Sequence, residues 1–106
     1  MADYGMVFMT ASSRREAETI ARHLVEQRLA ACAQVVSDIR SFYWWEGEIC
    51  DNPEVLFMAK TTADLFPELA AAVKRLHSYK VPEVVFVPIQ DATHAYLDWI
   101  GAVTKQ

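Results

Sequence analysis

The stretch Ser41 to Thr61, SFYWWEGEICDNPEVLFMAKT, sets the first constraint on the fold. Phe42, Tyr43, Trp44 and Trp45 stand in successive positions, Glu46-Gly47 break the run, and a second apolar segment follows from Val55 to Ala59. Aromatic and β-branched residues suit a pleated, half-buried surface, so the pattern reads as two antiparallel strands around a Gly-containing turn. Neighbouring side chains in a strand point to opposite faces, so consecutive aromatics place large rings on both. Neither face of such a hairpin can be left wet.

The flanking sequence supplies the partners. Tyr4 to Thr10 (YGMVFMT) reads as a first strand. Ser13-Arg14-Arg15-Glu16 has the capping-box spacing, with the hydroxyl accepting from the Glu16 amide and the glutamate reaching back. Ala17, Ile20, Ala21, Leu24, Val25 and Leu29 then recur at three- and four-residue intervals, which predicts a helix over about 13 to 29. Cys32 to Glu46 is the second strand; fully extended it would reach roughly 45 Å, longer than a compact domain of this size can hold. The hairpin should therefore bend, bulge or project, with Ser37-Asp38 the expected bulge. Glu48 to Thr61 returns as the third strand, disturbed at Asn52-Pro53. Thr62 to His77 is a second helix with Pro67 in its first turn. Glu83 to Ile89 is a fourth strand, and Ala92 to Val103 a short closing helix.

This order, β-α-β-β-α-β plus a C-terminal helix, is the α+β ferredoxin-like arrangement, a single domain over 1–106. It sets two helices on one face of a four-stranded antiparallel sheet and, the short last helix aside, leaves the other face open. Strands two, three and four are apolar on both faces. An exposed patch of that size marks an interaction surface, and copies of the same chain in closed cyclic symmetry are the expected cover. Phe42, Trp44 and Trp45 are the expected interface anchors, because aromatic residues concentrate in interface cores.

Charge and composition narrow the function. The formal net charge is −4, and without a basic stripe nucleic acid is not an expected partner. No apolar run approaches the roughly 20 residues that span a bilayer, and the opening Met1-Ala2-Asp3-Tyr4-Gly5 lacks the pattern of a secretory leader, so no membrane partner and a cytoplasmic location are expected. The two cysteines, Cys32 and Cys50, form no C-x-x-C and imply no disulfide framework.

Several segments together resemble the CutA divalent-cation tolerance family: Leu29-Ala30-Ala31-Cys32-Ala33, Ser41-Phe42-Tyr43-Trp44-Trp45-Glu46-Gly47, Lys60-Thr61, His77-Ser78-Tyr79-Lys80-Val81-Pro82-Glu83 and Tyr96-Leu97-Asp98-Trp99-Ile100. The match runs in order from about Met6 to Thr104. The resemblance implies a ferredoxin-like fold in a tight homotrimer, similar to PII-type signal proteins, and a link to tolerance of copper and other divalent cations. It further implies a cleft at the subunit boundary lined by Tyr43, Glu46, Lys60, Tyr79, Glu83 and Trp99. The chain departs from the family pattern where Ser78 replaces a proline and Lys80 an acid, where Met9 stands at a position some members fill with cysteine, and where Leu76 precedes His77.

For metal, the candidates are Cys32, Cys50, His23, His77 and His94, with the Met9 thioether a further soft donor for Cu(I). They are distant in sequence and form no H-x-x-x-H pair; His77 and Cys32 are the two carried forward as ligands for Cu2+ or a related ion, with no cofactor required. No nucleophile–base pair or Gly-rich phosphate loop is visible, so a non-enzymatic role is expected. The leading reading is a trimeric copper-tolerance or response protein. Its rival is a PII-like sensor or scaffold holding a small anionic ligand near Lys60.

Overall fold

In the computed structural model, which describes residues 3–106 and, at Ser37, the backbone alone, the chain forms β1 (Tyr4–Ala11), α1 (Arg14–Glu26), β2 (Cys32–Trp45), β3 (Glu48–Thr62), α2 (Phe66–Leu76), β4 (Val84–Pro88) and α3 (His94–Val103). Met1 and Ala2, with which the segment read as lacking a leader pattern begins, lie outside the described residues. The fold is the expected α+β arrangement: one antiparallel sheet in the order β2-β3-β1-β4.

Local chemistry sets the helix ends. Ser13 caps α1, its Oγ accepting from the Glu16 amide at 3.1 Å. The Glu16 carboxylate reaches back one residue further than the motif requires, accepting from the Ser12 amide at 3.1 Å and the Ser12 hydroxyl at 2.9 Å. The helix stops at Glu26, three residues before the expected end. Arg28 turns left-handed at φ 57°, its amide bonds to Val25 O at 3.0 Å, and the Leu29 amide bonds to Leu24 O at 2.9 Å. That pair of bonds is the Schellman motif, built on an arginine where glycine is usual. A 3-10 turn, Ala63–Leu65, leads into α2, whose Pro67 lies in the first turn, where amides lack intrahelical partners.

The core lies between the sheet and α1/α2. Val7, Met9, Phe57 and Ala59 meet Ile20, Leu24, Leu69 and Val73, all fully buried or nearly so. Their alternation puts the even-numbered residues of β1 and β3, among them Met6, Phe8, Leu56 and Met58, on the helix-free face. α3 covers one end of that face: Tyr96 meets Cys32, Gly101 sits against Tyr4, and Ile100 is buried there.

The hairpin both bulges and projects. Its irregularity falls between Val35 and Ser37, leaving Val36 unpaired, one residue before the expected site. The extra residue reverses the parity of β2, so Tyr43 and Trp45 share the helix-free side with Glu54, while Phe42 and Trp44 share the helix side with Ile49. β1 pairs only with Val55–Thr62 of β3, so Ile39–Trp45 and Glu48–Glu54 run on as a two-stranded ribbon, about 23 Å long at the usual rise. Pro53 is tolerated because β3 has a single neighbour there. Glu46 (φ 50°) and Gly47 (φ 81°) close the ribbon with the two positive φ angles of a type I′ turn. The long dimension of the chain is 44 Å. No helix among the described residues is long and apolar enough to cross a membrane.

Candidate functional site

A cavity of about 710 Å³ opens where the ribbon leaves the sheet, lined by Thr10, the Ser41–Trp45 run, Glu54, Tyr79, Lys80, Val81 and Glu83. The segment after α2 builds its floor. His77 leaves the helix in extended conformation, its amide still bonded to Val73 O. Its buried ring bonds through Nε2 to Thr10 O at 2.7 Å and accepts from the Tyr79 amide at Nδ1, 3.0 Å away. Since Nδ1 accepts, the hydrogen pattern assigns the neutral tautomer with the proton on Nε2. The Tyr79 ring packs on the imidazole with centroids 4.6 Å apart. Glu16 anchors the same turn from α1, accepting from the Ser78 amide at 2.8 Å. Burial pushes the Glu16 carboxyl up, but the hydrogen bonds from Ser78 and Ser12 outweigh it and bring the pKa down to about 2.

Beyond this turn Tyr79 donates its hydroxyl to Glu54 Oε2 at 2.7 Å. Burial, reinforced by that bond and the Glu54 charge, holds the phenol well above its ordinary range. Glu54 is only 7% exposed. The Glu83 carboxyl is pushed up by burial and by the charge of Glu54. The half-exposed rings Tyr43 and Trp45 line the cavity on the helix-free side, and the Tyr43 hydroxyl accepts from Asn52 Nδ2 at 2.7 Å.

The expected cleft residues thus separate within one chain. Tyr43, Tyr79 and Glu83 line the cavity. Lys60 lies on the sheet near α3, its ammonium bonded to Gln34 Oε1, and forms no ion pair with Glu46 or Glu83. Trp99 is on α3, its ring tilted against Tyr96 with centroids 5.5 Å apart, and Tyr96 Oη is 3.7 Å from Cys32 Sγ. Glu46 is in the turn at the ribbon tip. Phe42 and Trp44, expected as interface anchors, are 67% and 71% exposed, and Trp45 42%. Glu54 and Thr10 escaped the sequence reading. Glu54, an acid directly before the apolar run Val55–Ala59, carried the one signal that could have marked it.

As metal ligands, these residues do not make a tight site within one chain. Among the described residues, no three His, Cys, Asp or Glu side chains stand close enough to share an ion. Both nitrogens of His77 are engaged by the chain's own backbone, so it presents a lone pair only by giving up the Tyr79 amide. Cys32 is half-buried beside Tyr96. Met9 is fully buried in the core and its thioether is closed to a solvent ion.

The fold and the polar turn at the ribbon base define a ferredoxin-like α+β protein with an overlong central hairpin. Residues 5–103 match the family model for the CutA1 divalent ion tolerance protein, and the chain belongs to that family. A relative from Thermus thermophilus, a divalent-cation tolerance protein CutA, is 46% identical over 90% of this chain and 92% of its own. The human Protein CutA is 41% identical over 92% of this chain, which spans about half (55%) of that longer protein. Among solved structures, the Thermus thermophilus divalent cation tolerance protein superposes with a TM-score of 0.94 at 44% identity, covering 96% of this chain and 99% of that one. The periplasmic divalent cation tolerance protein CutA of Archaeoglobus fulgidus gives 0.92 at 38% identity, covering 96% and 99%.

Proposed function

We propose that the chain works as a homotrimer in divalent-cation tolerance, binding ions such as Cu2+ rather than catalysing a reaction. The observation that carries this reading is the projecting ribbon. Phe42, Trp44 and Ile49 stand largely exposed on one side of it, and a two-stranded ribbon of this kind is at best marginally stable in water by itself. Val85 and Val87, beside Phe8 and Met6, form a second exposed apolar patch on the helix-free face of the sheet. Identical chains closing on one another cover every such patch at once. Assembly would also reunite the separated residues, with Tyr43, Tyr79 and Glu83 of one copy facing Lys60 and Trp99 of the next and Glu46 at the ribbon tip reaching across. The names of the relatives support the cation role. A copper site completed between copies would draw on Cys32, with His77 contributing only if its backbone bonds open.

Sedimentation velocity of the wild type and Trp44→Glu tests the assembly. The wild type should run as a trimer, and the variant, which sets a charge in an apolar interface, should dissociate; equal sedimentation removes Trp44 from the interface. Calorimetric titration with Cu2+ tests the ion. Saturable binding should weaken in Cys32→Ser, and a trimer that takes up no Cu2+ ends the copper reading. The cavity supports a second reading, a PII-like sensor of small molecules, since about 710 Å³ lies within the usual size of a small-molecule site.

A further inference from the structure

The two cysteines stand where a single chain cannot use them together. Both are free and half-buried. Cys32 pairs directly with Lys60, and Cys50 with Tyr43. Residues paired across neighbouring strands share a face, so both thiols lie on the helix-free side. Cys50 and Lys60 are ten residues apart on β3, roughly 33 Å at the usual rise, so within one chain the thiols stay far out of each other's reach. The proposed trimer changes this. It sets Tyr43 of one copy against Lys60 and Trp99 of the next. Tyr43 brings Cys50 with it, and Lys60 brings Cys32. Trp99 leads to the same thiol, since its ring is tilted against Tyr96, whose hydroxyl is 3.7 Å from Cys32 Sγ.

We propose that Cys50 of one copy and Cys32 of the next hold a Cu(I) ion between them, with one such site at every boundary of the closed trimer. Thiolates are soft donors that select Cu(I). Two of them suffice for it, so the site does not need the larger donor cluster that is missing among the described residues of one chain. Loading exchanges two thiol protons for one Cu(I): both protons go to water, and the bis-thiolate complex carries one negative charge. Lys60 stands opposite Cys32, and its ammonium, bonded to Gln34 Oε1 two residues along β2, offsets that charge. The same ammonium works against Cu2+ held by neutral donors. The inference rests on the trimer reading, and it supplies the second ligand and the oxidation state for the copper of that reading.

The test loads the full, reduced chain with Cu(I), supplied without oxygen as its acetonitrile complex, in competition with the chelator bathocuproine disulfonate. The wild type should retain an ion at every boundary, read as copper bound per chain. Cys32→Ser and Cys50→Ser should each surrender it to the chelator. Co-expressing the two variants in equal amounts should restore binding at about a quarter of the boundaries, those where an intact Cys50 meets an intact Cys32 in a randomly mixed cyclic trimer. A wild type that yields all its Cu(I), either variant holding the ion as tightly as wild type, or co-expressed variants that regain none would each overturn the pairing. Sedimentation and Cu2+ calorimetry of the same samples keep the readings apart. A trimer that binds Cu2+ but yields its Cu(I) to the chelator sinks this inference alone, whereas a wild type that sediments as a monomer sinks the assembly and this inference with it.

Discussion

Tyr79→Phe removes one oxygen from the best-defined polar contact in the cavity and leaves the ring packed at a tilt against His77. The hydroxyl is the single donor to Glu54 Oε2 among the described residues, at 2.7 Å, and Glu54 is almost wholly buried. A hydrogen bond to a charged acceptor contributes about 1.5–3 kcal/mol, and a buried acceptor left without its donor loses a comparable amount. Tyr79→Phe should therefore destabilise the fold by about 2 kcal/mol. Glu54→Gln keeps a neutral acceptor and should lose about 1 kcal/mol. In the double variant the losses should fall short of additive, because both changes act on the same contact. Urea unfolding at fixed protomer concentration, followed by circular dichroism and fluorescence, gives the numbers; the fixed concentration matters because assembly contributes to apparent stability. With a slope of about 1–3 kcal/mol per molar urea, the midpoint should fall by roughly 1 M. An unchanged midpoint for Tyr79→Phe, or strictly additive losses, would refute the claim that this bond holds the cavity wall.

Other perturbations follow from the same structure. Glu16 has its folded pKa lowered to about 2 from 4.5; its stabilising effect is complete above the unfolded value and disappears as pH falls through that window. Unfolding free energy should decline between those limits and decline less steeply in Glu16→Gln. Glu46→Asn relieves a left-handed glutamate in favour of the Asn-Gly pair that type I′ turns prefer, and should raise thermal stability by about 0.5–1 kcal/mol. Gly5→Ala drives a methyl into the Phe86 ring and should cost about 1–3 kcal/mol, read as a lower urea midpoint.

The elements and their order were legible because their signals are local and periodic: the α1 stripe, the aromatic run, the Pro67 start of α2. Three features were not. The end of α1 lacked a glycine, so the turn at Arg28 left no mark and the helix was drawn through to Leu29. The bulge, expected at Ser37-Asp38, falls at the apolar Val36, and that residue decides which pair of aromatics shares a face with Glu54. The site was half legible. Tyr43, Tyr79 and Glu83 do meet around one space, but Glu54 reaches it through the β2–β3 register and Thr10 through the end of β1, and neither pairing can be read from spacing. His77 was weighed as a ligand because sequence gives a histidine no hydrogen-bond partners; in the fold, two backbone groups occupy both of its nitrogens.

The central claim is that the ribbon and the helix-free face are covered by copies of the chain. Sedimentation equilibrium of the dilute wild type, with iodide quenching of tryptophan on the same sample, addresses it most directly. The account expects three times the 12.0 kDa chain mass and tryptophans largely shielded from iodide. A folded particle of single-chain mass, with its tryptophans freely quenched, would contradict it.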